Sequence, residues 1–117
     1  MKGKAHRLPY PAKAQYRATE PLELIHTDLC GPMPVRSREG HYYFISFIDD
    51  YSRFSMIWLL ETKKGAMNAF QQYKSLMEKQ AGKKIKCLRS DGGGEYMSKK
   101  FKAWLANEGI QRQISVL

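Results

Sequence analysis

The segment Leu88–Tyr96 constrains the possible folds of this chain most strongly, because it joins the end of an apolar run to an acid followed by three glycines. Residues 85–88 predict a strand, and the glycines let the backbone turn with little steric restriction. Ligands of open α/β sheets lie beyond the carboxyl ends of strands, so Asp91 is positioned to reach a metal or a substrate. The alternative is that Asp91 only turns the chain, as an aspartate before glycine often does.

A second aspartate, Asp28, interrupts the apolar run of residues 24–30. The segment Gly31–Pro34 follows and is expected to end the strand, because proline supplies no backbone donor. A charge within a buried strand is unfavourable unless it is paired or bound to a cation. We therefore expect Asp28 either to bind a cation or to be satisfied by hydrogen bonds within the fold.

Residues 42–48 and 54–60 are aromatic and β-branched runs, which predicts an antiparallel hairpin. Their near-continuous apolar character predicts burial on both faces, with helices covering the sheet. Asp49 and Asp50 lie between the two runs and are interpreted as turn residues.

Two helices and a last strand complete the pattern. The first helix is expected to begin after Thr62 and to end at Gly82, and the second to begin after Ser98 and to end at Gly109. Residues 111–117 predict the final strand. The resulting order of three strands, helix, strand, helix and strand indicates an α/β protein with a mixed five-stranded sheet.

The order of elements predicts that the two aspartates meet. A helical crossover between the third and fourth strands allows the first and fourth to pair in parallel, so that Asp28 and Asp91 lie at neighbouring positions. Two carboxylates at that separation repel each other unless a divalent cation lies between them. The topology therefore predicts a cation site at one end of the sheet.

The charge balance favours a phosphate-bearing partner. The chain has 20 lysines and arginines against 11 acids, a formal net charge of +9, although a basic solvated surface is the alternative interpretation. Residues 1–19 lack acids and are expected to form a basic extended arm before a folded domain at 20–117. No apolar run is long enough to predict a membrane span.

The second helix is expected to begin with a basic cluster formed by Lys99, Lys100 and Lys102. A helix dipole favours acids at this end, so the cluster is easier to explain if it faces an anion. Cys30 and Cys87 are too few for a disulfide framework and are expected to lie about 20 Å apart on adjacent strands. They indicate a reducing compartment.

Three motifs carry a resemblance to a known family. They are Pro21–Pro32, Tyr43–Arg53 and Arg89–Tyr96, and with the order of elements they resemble the ribonuclease-H-like catalytic core of the integrases of copia-type LTR retrotransposons. The similarity extends over nearly the whole chain. In that family the aspartates that match Asp28 and Asp91 are the first two members of an Asp-Asp-Glu triad that binds metal.

The resemblance implies a ribonuclease-H-like fold, DNA as the partner, Mg²⁺ or Mn²⁺ as the cofactor, and a homo-oligomer for the full-length enzyme. It also implies metal-dependent 3′-end processing followed by strand transfer of DNA. Gly92, Gly93 and Gly94 are then candidate nucleic-acid contacts, together with the lysines of the second helix. Localisation in a cytoplasmic particle and then in the nucleus is implied by the same resemblance.

Two parts of the family pattern are absent from this sequence: the third catalytic glutamate and the upstream zinc-binding His/Cys module. Glu95 belongs to the Gly-Gly-Glu-Tyr stretch and not to the position of the third ligand, and Gly92 stands where asparagine is usual. We therefore expect a C-terminally incomplete catalytic core that is inactive alone. The alternatives are a non-catalytic nucleic-acid-binding remnant of a decayed element and another ribonuclease-H-like nuclease.

Overall fold

Five strands and two α-helices follow one another in the predicted order. The structure is a computed structural model, and it describes residues 17–34, 41–91 and 97–115. The strands are β1 (Leu24–Pro34), β2 (His41–Asp49), β3 (Ser55–Leu60), β4 (Cys87–Asp91) and β5 (Gln111–Ser115), and the helices are α1 (Ala66–Ala81) and α2 (Lys99–Asn107). Most of the predicted basic arm lies outside the described residues, and its boundary at residue 19 stays a prediction.

The strands form one mixed sheet in the order β3-β2-β1-β4-β5. β2 pairs antiparallel with both β1 and β3, whereas β4 runs parallel to β1 and β5 runs parallel to β4. The predicted hairpin and the predicted parallel pairing of the first and fourth strands are both confirmed. Because β1, β3, β4 and β5 run in the same direction, their carboxyl-terminal ends point to the same end of the sheet.

The apolar stripe of α1 packs on the sheet, as its spacing predicts. Phe70 and Tyr73 are buried, and Met67 and Met77 pack against the same core. Gly82 takes the left-handed conformation with φ of 68° and ends the helix, as predicted. Within the described residues, no helix is long and apolar enough to span a membrane.

The two helices begin differently. Ser98 is the cap of α2, and its hydroxyl oxygen accepts the backbone N–H of Phe101 at 3.1 Å, as predicted. Thr62 is not the cap of α1, because a 3-10 turn at Lys63–Gly65 intervenes. The Thr62 side chain makes no capping hydrogen bond, so that part of the prediction is wrong.

The core lies between the sheet and the two helices, with Phe47 of β2 near its centre. The Phe47 ring stacks on Tyr73 with centroids 4.8 Å apart and lies 5.6 Å from both Phe70 and Trp58. Phe101 of α2 joins the cluster 6.0 Å from Phe70. Both helices therefore pack on the same face of the sheet.

The opposite face of the sheet carries exposed apolar side chains. Phe44, Ile57 and Leu59 are 38%, 60% and 51% exposed, and Phe44 pairs across the strands with Leu59. The prediction that helices cover both faces is therefore wrong for the described part of the chain. The apolar runs instead alternate between a packed and an open face, as antiparallel strands often do.

The strand β1 does not end at Gly31, contrary to the prediction. It continues to Pro34, with a shift of its register against β2 between Cys30 and Met33. Gly31 has φ of +128°, and a Cβ at this position would lie 2.9 Å from the backbone oxygen of Tyr42. A local irregularity of this kind accommodates a proline within a strand, and here it depends on glycine.

The two cysteines lie in different environments and are both free thiols. Cys30 is exposed on β1, whereas Cys87 is buried on β4. Burial raises the pKa of the Cys87 thiol, which lowers its reactivity at neutral pH. The expected separation of the two cysteines on adjacent strands agrees with the observed pairing, in which Cys87 lies beside Leu24.

Candidate functional site

Asp28 and Asp91 occupy neighbouring positions on the parallel strands β1 and β4. Thr27 pairs with Ser90 in this ladder, and each aspartate is the next residue of its strand. Adjacent strands of a sheet are about 4.8 Å apart. The structure, which describes Asp91 by its backbone, therefore brings the two predicted acids to one point of the sheet.

Asp28 is exposed, and it lies on the face of the sheet that the helices leave open. Its neighbour Thr27 is buried and pairs with Phe47 of the core, so alternation along β1 turns Asp28 the other way. The premise that Asp28 is a charge within a buried strand is therefore wrong. The exposed carboxylate accepts a weak hydrogen bond from the Cys30 thiol at 3.8 Å and is accessible to a cation.

The next pair along these strands is basic. His26 of β1 pairs with Arg89 of β4, two residues before the respective aspartates. The Arg89 guanidinium donates two hydrogen bonds to Gln113 Oε1, at 3.1 and 2.7 Å. This arrangement holds a fixed positive charge near the acid pair, where it favours anionic groups.

Asp50 is a buried centre of hydrogen bonding at the amino end of β1. It is 4% exposed, and its Oδ1 lies 2.8 Å from His26 Nε2 and 3.1 Å from Arg53 Nη1. Its Oδ2 accepts the backbone N–H of Ala18 at 2.8 Å. The carboxylate thus connects the segment before β1, β1 itself and the hairpin turn.

Asp49, the last residue of β2, has a similar role. It is 2% exposed, and its Oδ1 accepts the backbone N–H of Leu22 at 3.0 Å. Its Oδ2 accepts both the backbone N–H and the hydroxyl of Ser52, at 3.2 and 2.7 Å. The interpretation of these acids as turn residues missed their burial, although donors at Ser52 and Arg53 were a signal in the sequence.

The predicted nucleic-acid contacts are only partly placed by the structure. Lys99, Lys100 and Lys102 are exposed near the amino end of α2, and Lys100 also lines a cavity between this helix and α1. The segment Gly92–Gly94 lies outside the described residues. These assignments stay predictions.

The donor chemistry of the acid pair fits a hard divalent cation. Mg²⁺ takes oxygen ligands and commonly binds one or two carboxylates while it keeps several waters. Asp28 presents an accessible carboxylate, and Asp91 supplies a second acid at the neighbouring position. Among the described residues, no group of three or more His, Cys, Asp or Glu residues gathers around a common point.

Comparisons with known proteins agree on one family. Residues 18–116 match the integrase core domain. The chain is 40% identical over 114 residues, 97% of its length, to the retrovirus-related Pol polyprotein from transposon TNT 1-94 of Nicotiana tabacum. It is 29% identical over 107 residues, 92% of its length, to the corresponding polyprotein from transposon RE2 of Arabidopsis thaliana. It spans only 8% and 7% of these relatives.

Solved structures support the same fold. The HTLV-2 integrase catalytic core domain in complex with magnesium, in its dimeric form, superposes with a TM-score of 0.68 at 19% identity, over 86% of this chain and 64% of that one. A simian T-cell lymphotropic virus intasome gives a TM-score of 0.69 at 14% identity, over 94% of this chain and 37% of that one. The predicted ribonuclease-H-like fold is therefore confirmed.

Proposed function

Because the chain belongs to the integrase core domain family, we propose that Asp28 and Asp91 are metal ligands of a retrotransposon integrase that acts on DNA. The chain is a DNA-integration fragment similar to Pol polyproteins of copia-type transposons, and this similarity favours integration over the two alternative functions. The observation that supports the site assignment is the parallel register of β1 and β4, in which the two aspartates are neighbours.

The proposed chemistry is metal-dependent 3′-end processing and strand transfer. A bound divalent cation, Mg²⁺ or Mn²⁺, supplies activation of the attacking oxygen and stabilisation of charge on the phosphodiester. The chain's own residues bind the cation and orient the DNA phosphate. Asp28 presents its carboxylate on the open face of the sheet, and Arg89, held by Gln113, adds positive charge that attracts a phosphate to the same face.

The proposed partners are DNA and further copies of the integrase. The dimeric HTLV-2 core and the viral intasome are assemblies of related fold, which supports a homo-oligomer for the full-length enzyme. Lys99 and Lys102 are proposed to contact DNA, as are Gly92, Gly93 and Gly94. A cytoplasmic particle and then the nucleus are the proposed locations.

Asp28→Asn is expected to weaken Mg²⁺ binding at least tenfold, because the neutral amide lacks the negative charge with which the carboxylate attracts the cation. Titration calorimetry of the chain with Mg²⁺ and with Mn²⁺ measures this. Glu61→Gln is the matched control, since it removes the charge of an exposed acid just after β3, and we expect it to leave affinity unchanged. Equal affinities in Asp28→Asn and the unaltered chain would exclude Asp28 as a ligand.

The 117-residue chain is expected to show no strand transfer by itself. Two cations that share one carboxylate each need one further acid as a ligand. Among the described residues, no third acid joins Asp28 and Asp91. Joining of a labelled duplex DNA end to a plasmid target, followed on a gel with Mg²⁺ and with Mn²⁺, measures the reaction. If the unaltered chain forms product and the Asp28→Asn variant does not, the expectation is contradicted.

A further inference from the structure

Cys30 lies on the same face of β1 as Asp28, two residues further along the strand. Leu29 packs against the core and Cys30 pairs with Phe44 of the open face, so alternation along the strand turns the thiol towards that face. Both Asp28 and Cys30 are exposed. A cysteine outside a disulfide is more often buried as a small apolar side chain, so packing does not explain an exposed thiol at this place.

The distance between the thiol and the carboxylate matches that of two ligands of one cation. Cys30 Sγ lies 3.8 Å from Asp28 Oδ2. A tetrahedral zinc ion with a sulfur ligand at about 2.3 Å and a carboxylate oxygen at about 2.0–2.2 Å separates these two donor atoms by about 3.5–3.7 Å. The observed separation exceeds this by about 0.1–0.3 Å, which a small rotation of either side chain removes.

The donors at this point of the sheet differ in chemistry. Asp28 presents a carboxylate, Asp91 lies at the neighbouring position of β4, and Cys30 adds a sulfur beside the partly exposed ring of Phe44. Mg²⁺ takes oxygen ligands, whereas thiolate ligands favour softer ions such as Zn²⁺. Three protein ligands and one open position are typical of zinc sites that keep a bound water. The donor set therefore suits a softer ion as well as Mg²⁺.

We propose that Cys30 is a ligand in the cation site of Asp28 and Asp91, and that its sulfur lets thiophilic divalent ions such as Zn²⁺, Co²⁺ and Cd²⁺ compete there with Mg²⁺. The inference rests on the proposed function, because it takes Asp28 as a metal ligand. When such an ion binds, a sulfur–metal bond replaces the S–H bond of the thiol and the proton passes to solvent. No atom changes its oxidation state. Mg²⁺ is then excluded from the Asp28 carboxylate.

The second cysteine of the chain provides a matched control. Cys87 is 7% exposed, and it pairs with Leu24 at the start of β1, four residues before Asp28. Cys87→Ala removes this thiol without placing a new hydroxyl in a buried position. A metal-dependent signal that requires Cys30 and not Cys87 therefore identifies the thiol on the open face.

The first test is a titration with Co²⁺, because a bond between cobalt and a thiolate gives a charge-transfer absorption band in the near ultraviolet. The unaltered chain is expected to develop this band with one ion bound per chain. Cys30→Ser is expected to lose the band, and Cys87→Ala is expected to keep it. Excess Mg²⁺ is expected to raise the Co²⁺ concentration needed for half-saturation, as competition for one site requires.

Titration calorimetry with Zn²⁺ and with Mg²⁺ gives the selectivity. Cys30→Ser is expected to weaken Zn²⁺ binding at least about tenfold, the lower end of the effect of losing an outer-shell partner. The same variant is expected to change Mg²⁺ affinity by less than about twofold, because Mg²⁺ takes oxygen ligands. Cys30→Asp replaces sulfur with oxygen, so we expect it to weaken Zn²⁺ binding and to strengthen Mg²⁺ binding. Thermal unfolding followed by circular dichroism verifies the fold of each variant.

Three results would overturn the inference: no band in the unaltered chain, a band that persists in Cys30→Ser, or equal Zn²⁺ affinities of Cys30→Ser and the unaltered chain. An unchanged Co²⁺ titration of Asp28→Asn would show that the thiol and the carboxylate do not share an ion. The proposed function is measured separately, by the Mg²⁺ affinity of Asp28→Asn. Loss of that affinity, together with unchanged Zn²⁺ binding in Cys30→Ser, contradicts the role of Cys30 alone.

Discussion

Asp50→Ala is expected to lower the free energy of unfolding by about 3 kcal/mol. The carboxylate is 4% exposed and accepts hydrogen bonds from Arg53 and from the backbone N–H of Ala18, with His26 Nε2 also 2.8 Å away. Its removal takes the acceptor from a buried N–H and removes one interaction each from His26 and Arg53. The value lies at the lower end for broken buried pairs, because His26 and Arg53 are partly exposed.

Urea unfolding monitored by tryptophan fluorescence measures the loss. Asp50→Asn keeps the volume and one acceptor oxygen, so we expect a smaller destabilisation. Asp28→Ala is the matched control: this aspartate is exposed, and we expect a change within about 0.5 kcal/mol. A loss below 1 kcal/mol for Asp50→Ala would show that this carboxylate does not hold the segment before β1 in place.

Phe47→Ala is expected to lower the free energy of unfolding by about 3–5 kcal/mol, as is usual for a buried phenylalanine. Its ring is fully buried and contacts Trp58 of β3 and both Phe70 and Tyr73 of α1. The truncation removes the side chain that joins the sheet to its longest helix, and the surrounding rings cannot refill the space. Because a small domain has a total stability of about 5–15 kcal/mol, partial unfolding at 37 °C is expected.

Phe54→Ala provides the matched comparison, because this phenylalanine is 51% exposed. We expect it to change the free energy of unfolding by under 1 kcal/mol. Thermal and urea unfolding of the two variants, measured side by side, give the difference. Similar losses would mean that Phe47 is less tightly packed than its ring contacts indicate.

The sequence predicted those features that depend on local pattern. Periodic apolar residues define α1, and a glycine marks its end at Gly82, because helix packing and left-handed caps have short-range signals. The parallel pairing that makes Asp28 and Asp91 neighbours was also predictable, since a helical crossover between strands favours it. Asp91 was predictable from its position at the end of a strand and Asp28 from its interruption of an apolar run, and the family resemblance supported both.

Other features depend on partners that are distant in the chain and were missed for that reason. The burial of Asp50 results from contact with Ala18, 32 residues earlier. The continuation of β1 through Gly31 reflects an irregular pairing with β2, and a glycine-proline pair is normally a stop signal. The cavity that Lys63 and Lys64 line together with Lys100 forms only when the folded chain brings two helix ends together.

The ladder between β1 and β4 makes the candidate site tolerant of some changes in chain length and intolerant of others. A hairpin and a helix separate the two acids along the chain, so insertions in their connecting loops leave the spatial match unchanged. A single-residue slip of β4 against β1 has the opposite effect: it displaces position 91 by about 3.3 Å and transfers the strand's pattern to the other face. Divergence among such proteins is therefore expected to accumulate as loop insertions, while the number of residues from Leu24 to Asp28 and from Cys87 to Asp91 stays constant.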